Sequence, residues 1–528
     1  MRRLFAVMVL FIVSLPLSGW EAHNYDYIVN TSPWTSSRNA SGLVTFKSSH
    51  IATANASFEK ADGKFIGIED SADCLNGTTS AASYDSISER LKAFGSISYS
   101  YYFGKNMGGP ILMDPSYNPI SFIESDQTTI GNKSRELYNL KGALSYKLSN
   151  NWAIGIDFSY ESGLYAKRKD PRYRNSWMNM GVSAGAKFTI SEKFSVGLSL
   201  IYEKTLEAID GNLFGNFTTD YFNLIDYGGF YCKKEVFSGD SGYIPQSQKP
   251  RNMLNSFYGA AIQLEHSTKK NVFFHEIILK TRSGYYGNEG TSSIVYTNHD
   301  GIGLMYKGSA LLFNNTNTQK LGLELYWESL DNNENIFRTN TIPGHQTVVE
   351  ILGSKKVLER NDIHGIVYWH GWSGLNGRKP DWEYKLSAET DLRTQTTTLY
   401  PFYRDSKVFF ITLKSSLRHN FKWKKNIISP EIGLSFSKGG GNPKKDGTLA
   451  SSTSGKPISA DNYLYKDFEY KTISSASISA SLEYTRTINE KLDIYARFSN
   501  RYRHCIETPQ YLEGRFRNIF TITIGCTF

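Results

Sequence analysis

Four basic side chains, Lys167, Arg168, Lys169 and Arg172, crowd around the dipeptide Asp170-Pro171 just after Tyr165. Ammonium and guanidinium groups at this density could hold the phosphates of lipopolysaccharide or another anion through charge-assisted hydrogen bonds. The plainer alternative is a turn, which Asp-Pro favours, rimmed by solvated charge of little energetic worth. His364 and His370 stand six apart, so an extended strand puts both on one face. That spacing suits a metal or acid–base pair, or simply a polar lining. No His-x-Ser occurs among the ten histidines, so the pattern of an outer-membrane phospholipase is missing. No cluster of Asp and His stands out as in omptin-like proteases. An enzyme is therefore the remote reading, and no cofactor or metal site is assigned.

The elements that must position these residues are long alternating strands. Leu140, Leu144, Tyr146 and Leu148 alternate with polar or small residues up to the turn Asn150-Asn151. Trp152, Ile154, Ile156, Phe158 and Tyr160 then resume the pattern. Similar hairpins turn at 191–193, 424–426 and 487–491. Each strand exceeds the ~9–11 residues that cross a bilayer at a tilt. Between the hairpins lie longer segments rich in Gly, Pro, Asn, Asp and Ser, notably 104–132, 210–251 and 439–467. Short periplasmic turns alternating with long extracellular loops are the asymmetry of an outer-membrane barrel. The expected fold is an all-β, transmembrane, antiparallel up-and-down β-barrel of about 16 strands, within a range of 14 to 18.

Three spans are expected: a signal peptide over 1–19, an N-terminal plug-like or extra-hairpin segment over 20–83, and the barrel over 84–528. Arg2 and Arg3 followed by an apolar run to Leu17 read as a secretory signal. Within 20–83, a hairpin at 48–60 and 63–70 could add two strands or fold inward. The closing strand is the clearest of all, with Phe520, Ile522, Ile524 and Phe528 on one face. These residues are the expected assembly signal read by the barrel assembly machinery, which places the chain in the Gram-negative outer membrane, multi-pass, with a periplasmic C-terminus.

Composition agrees. Hydrophobic residues make up 40% and the mean hydropathy is −0.39, as in a barrel whose inner face is polar. Aromatic residues reach 14%, enough for interfacial girdles. A net charge of +9 over 528 residues is mild, and no nucleic-acid partner is expected. Cys74, Cys232, Cys505 and Cys526 lack metal-like spacing. Cys505 and Cys526 fall at opposite ends of neighbouring strands, too far apart to bridge, so no structural disulfide is expected.

Trp34 followed by Asn39-Ala-Ser-Gly42-Leu43, then Tyr99-Ser-Tyr101 after Gly95, then Asp170-Pro171-Arg172 after Tyr165, form a set. It resembles an uncharacterised outer-membrane β-barrel family of Bacteroidota over most of the mature chain. The resemblance implies a place in an outer-membrane uptake system beside surface lipoproteins and TonB-dependent receptors. It implies no activity.

The inward register carries charge of both signs, including Lys141, Asp157, Glu161, Glu203, Glu383, Lys385, Asp391, Arg393, Glu483 and Arg497. A strongly selective pore would show a bias. Mixed charge fits a poorly selective lumen or one closed by internal ion pairs. The expected function is transport, as a channel for small solutes. The alternative is a non-conducting scaffold whose loops bind a surface lipoprotein or a TonB-dependent receptor. Lipid and lipopolysaccharide are the surrounding partners in either case.

Overall fold

The computed structural model describes residues 24–528 except 125–128, 215–220, 237–249, 291, 341–347, 376–378 and 454. The expected signal peptide lies outside the described residues. The strands in chain order are β1 (His50–Asp62), β2 (Asp73–Ser86), β3 (Leu91–Met107), β4 (Ser121–Glu124), β5 (Gly131–Lys147), β6 (Trp152–Lys167), β7 (Arg172–Ser191) and β8 (Phe194–Ile209). Then come β9 (Gly211–Asn212), β10 (Phe222–Asp226), β11 (Tyr231–Val236), β12 (Arg251–Ser267), β13 (Asn271–Gly287), β14 (Val295–Phe313), β15 (Asn317–Asn340) and β16 (Val348–Ser373). The last are β17 (Trp382–Leu399), β18 (Phe402–His419), β19 (Phe421–Trp423), β20 (Asn426–Thr448), β21 (Ile458–Ser459), β22 (Ser475–Asn489), β23 (Leu492–Cys505) and β24 (Phe516–Thr527). Two helices accompany them, α1 (Tyr25–Asn30) and α2 (Asp461–Thr472).

Eighteen of these strands, all long, pair antiparallel with their sequence neighbours and close into one barrel. Closure is made by β24, which pairs with both β23 and β1. The last residue takes part: Phe528 N donates to Ala52 O at 2.9 Å. Phe520 and Ile524 point outward, and their neighbours Phe58 and Phe498 extend the same exposed face.

Period-two alternation sets the two faces. On β17, Trp382 and Leu386 face out while Glu383, Lys385, Asp391 and Arg393 face the lumen. The outward apolar belt on β17 runs from Trp382 to Leu392, about 25 Å at a normal tilt. Exposed Trp152, Phe421 and Trp423 mark its edge at the tight-turn end. Tyr101, Tyr138, Tyr258 and Trp327 mark the other edge. Above it the strands continue past the belt, farthest in the β15–β16 ribbon.

The two strands beyond the expected 16 are β1 and β2, so the wall begins at His50 and not near residue 84. Their outward positions are Ala54, Ala56, Phe58, Gly77, Thr79 and Ala81. Small residues on the lipid face leave little hydrophobic alternation to read, which explains the misplaced hairpin. The long loops also differ from expectation. Residues 439–448 continue β20 as strand, and the segments 108–124, 221–236 and 458–472 are drawn into the mouth of the barrel.

Candidate functional site

Residues 24–47 sit inside the barrel at its tight-turn end. Asn39 is fully buried and bridges three wall strands through its amide. Its Nδ2 donates to Ala186 O at 3.1 Å and to Gln263 Oε1 at 2.9 Å, while its Oδ1 caps the next turn by accepting from Ser41 N at 3.1 Å. The wall is cut to fit. A methyl group added at Gly155 or Gly185 would collide with the Ser41 backbone or the Asn39 side chain. Trp34 donates to Glu265 Oε2 at 2.6 Å and meets Phe274 edge-on. Arg38 pairs with Glu203 at 2.9 Å, and its backbone oxygen accepts from Ser183 Oγ at 2.6 Å. The segment spans the barrel: Phe46 stacks on Tyr84 of β2, while Tyr27 bonds Thr318 of β15 at 2.8 Å, on the opposite wall. Beside it Lys379, just before β17, crosses to Glu483 of β22 at 2.8 Å.

The mouth carries a second closure. A four-stranded sheet of β4, β10, β11 and β21 packs on the wall through Ile111, Ile120, Phe122, Tyr165, Tyr173 and Ile209. Its polar anchor is Glu124, 1% exposed, between two buried lysines. Lys167 reaches Glu124 at 2.6 Å and Lys133 at 3.2 Å. Arg404, fully buried, grips Asp446 through Nε and Nη2 at 2.7 and 2.9 Å, and its Nη1 donates to Gly229 O at 3.0 Å. Helix α2 covers the remaining arc. Tyr463 donates to Glu124 O at 3.1 Å, and Glu469 accepts the backbone N–H groups of residues 510–512.

Between the closures hangs the tip Asp114-Pro-Ser-Tyr117-Asn-Pro119. Two wall arginines hold it by its carbonyls: Arg282 reaches Tyr117 O at 3.1 Å, and Arg360 reaches Tyr117 O at 2.9 Å and Asn118 O at 3.0 Å. The Arg282 guanidinium also lies 4.3 Å from the Tyr117 ring centre, a cation–π contact. The tip divides two cavities. One of about 690 Å³ lies toward the N-terminal segment, among Arg38, Lys141, Asp157, Glu161, Glu203 and Lys307. The other, about 610 Å³, lies toward the mouth, beneath α2 and the β10–β11 turn. Glu69 borders this second cavity from the β1–β2 loop. Burial, with help from Asp114 and Asp467, pushes its carboxyl up to about 7.

The basic patch read from the sequence is split. Lys167 is not on a loop surface: it ends β6 and is buried against Glu124, because the mouth sheet brings a carboxylate over it. Arg168, Lys169 and Arg172 are exposed. Arg172 pairs with Asp170 at 2.8 Å and lies over the Phe214 ring. The histidines do not meet. His364 bonds Asp391 at 2.7 Å at the edge of the mouth-side cavity, while His370 is buried and stacks on Trp372. Among the described residues no group of three or more His, Cys, Asp or Glu is placed to hold a metal. The four cysteines are free thiols. Sequence reasoning missed Glu124, Arg282, Arg360 and Arg404. Each sits in a strand or loop without a motif around it, and its main partners arrive from distant segments.

A family model for a family of unknown function, DUF6850, matches residues 40–528. The chain belongs to that family. Among solved structures it is similar to the ferric preacinetobactin receptor BauA of Acinetobacter baumannii, at 7% identity and TM-score 0.37 over 90% of this chain and 80% of that one. It is similar to the ferric enterobactin receptor PfeA at 8% identity and TM-score 0.41, over 91% and 82% of the two chains. The RagAB peptide importer is similar at 6% identity and TM-score 0.37, over 91% and 86%. No curated protein matches the sequence.

Proposed function

We propose that this protein is a gated outer-membrane barrel, closed at rest, that admits a small solute when its inner closures yield. The observation that carries the reading is the N-terminal segment, lodged in the lumen by polar bonds and a glycine-lined cradle while remaining outside the wall. A barrel of this strand number leaves an aqueous channel unless something fills it. Here the chain's own segments occupy both ends. The space between them is built for water: Lys385 and Lys414 face inward yet are exposed, along a Ser- and Thr-rich surface.

Planar-bilayer recording on the purified chain tests this. The wild type is expected to show no steady conductance. A triple variant with one substitution at each barrier, Asn39→Ala in the N-terminal segment, Tyr117→Ala at the tip and Glu124→Gln under the mouth sheet, is expected to show discrete openings. Barrel integrity is checked by the gel shift between boiled and unboiled samples. A folded triple variant that stays silent overturns the gate, and steady wild-type conductance overturns the resting closure.

A second reading, the docking scaffold, is favoured by one feature. The ribbon of 335–340 and 348–356 outruns β14 and β17, so that among the described residues neither of its edges pairs with another strand, and Ile336, Ile351 and Leu352 are exposed. A two-stranded ribbon is marginal alone in water, so a surface lipoprotein or receptor is the natural support. A silent but folded triple variant would leave this reading standing.

A further inference from the structure

The mouth-side cavity has a charge pattern of its own. Its lining includes seven carboxylates and three Lys or Arg side chains. All three cations are already paired within 4 Å. Arg360 and Arg393 share Asp362 at 3.1 and 2.6 Å, and Lys471 holds Asp467 at 2.7 Å. Asp114 and Asp391 have no Lys or Arg at ion-pair distance among the described residues, Asp391 bonding His364 at 2.7 Å instead, while Glu69, with its carboxyl near 7, adds charge only as pH rises through that value. The field in the cavity is therefore negative, and its low-dielectric walls strengthen that field. An anion would be repelled.

The rest of the lining is largely apolar and aromatic, with Tyr117, Tyr326 and Phe410 facing the space. Aromatic faces attract organic cations, and the attraction grows when the cation is desolvated. A volume of about 610 Å³ is that of a metabolite-sized site. A bare divalent ion fits poorly, since no three acidic or imidazole ligands converge among the described residues. One further group calls for a partner. Ser121 lines the cavity at 8% exposure, and its hydroxyl has no hydrogen-bond partner among the described residues. Buried polar groups are rarely left unpaired without a reason.

We infer that the mouth-side cavity binds a small organic cation, a primary amine with an apolar body. Its ammonium group lies on the side of the cavity that Asp114 and Asp391 border, a space that Ser121 also lines. Its body lies against Tyr117, Tyr326 and Phe410. This deepens the transport reading by naming the solute class and rests on it only in placing the cavity on the solute's path. Binding needs only transient opening of the mouth sheet, not conduction through both closures.

Isothermal titration of the full chain in non-ionic detergent tests the inference with three probes: phenethylamine, 3-phenylpropionate as its anionic counterpart, and calcium chloride. Saturable binding of phenethylamine and none of 3-phenylpropionate is expected. Asp114→Asn/Asp391→Asn should weaken the amine at least tenfold while the unboiled gel shift is retained. If that double variant does not fold, Asp391→Asn alone, at a partly exposed site, should weaken it at least threefold. Absence of amine binding, equal binding of the anion, calcium binding in preference to the amine, or an affinity unchanged in a folded variant would each overturn the assignment. The titration reads binding and the bilayer reads conductance, so the failure of one is distinct from the failure of the other.

Discussion

Replacing Glu124 by Gln removes one charge from a place where three are buried. Glu124 and its two lysine partners are each no more than about 2% exposed. Lys133 would keep two carbonyl acceptors, Gly108 O at 2.8 Å and Pro110 O at 2.9 Å. Lys167 would keep a neutral amide acceptor at position 124 and the Tyr173 ring, 5.7 Å from its nitrogen, but no carboxylate at ion-pair distance among the described residues. The loss therefore falls mainly on Lys167. Breaking one buried pair costs about 3–5 kcal/mol, since the remaining charge stays desolvated. Taking about 3 kcal/mol, the mouth sheet should open roughly 150-fold more often. The barrel wall, held by its own ladders, should not change. Hydrogen exchange followed by mass spectrometry checks this: 121–124 and 222–236 should lose about two orders of magnitude of protection, while β12 and β13 keep theirs. Adding Lys167→Met should restore most of it, because an apolar side chain of similar length needs no counter-charge. Unchanged exchange in the mouth sheet, or loss spread evenly over the wall, would refute the reasoning.

Gly185→Val places a side chain on the Asn39 amide, and overpacking of this kind costs about 1–3 kcal/mol; trypsin cleavage at Arg38 should accelerate by roughly tenfold or more. Arg404→Lys keeps the charge but loses the two-pronged grip on Asp446, so thermal unfolding of the β10–β11 turn, read by exchange, should fall by about 2 kcal/mol. Glu69 has its carboxyl raised to about 7, first by burial and then by Asp114 and Asp467. The neutral form is favoured in the folded state, so its contribution is full below the ordinary carboxylate pKa of about 4.5 and is lost as pH rises through about 7. The full effect is about 3 kcal/mol at most, and Glu69→Gln should flatten the pH dependence of protection in the β1–β2 loop and α2 between those limits.

The wall was largely legible because its signal is local. Alternation from Leu140 to Tyr160, or from Phe520 to Phe528, needs no knowledge of neighbours, since a strand's two faces follow from a repeat of two residues. The same rule placed Asp391, Arg393 and Glu483 in the lumen. It left β1 and β2 as an optional hairpin and set the second strand too early, because Ala, Gly and Thr on the outer face mute the alternation although the backbone pairs as elsewhere. What fills the lumen was not legible. Lys167 reads as a surface base until Glu124, 43 residues away, is folded over it. The loops reveal turn formers but not whether they point outward or in.

From the amino-acid order alone follow a membrane barrel, its inner and outer faces and its mixed inner charge, because periodicity and polarity act within each strand. The two closures, the split of the lumen into chambers, and the pairing of Arg282 and Arg360 with the carbonyls of Tyr117 and Asn118 belong to the tertiary structure. They depend on which distant segments meet across the lumen, and the energy of a buried charge is set by the partner it meets there.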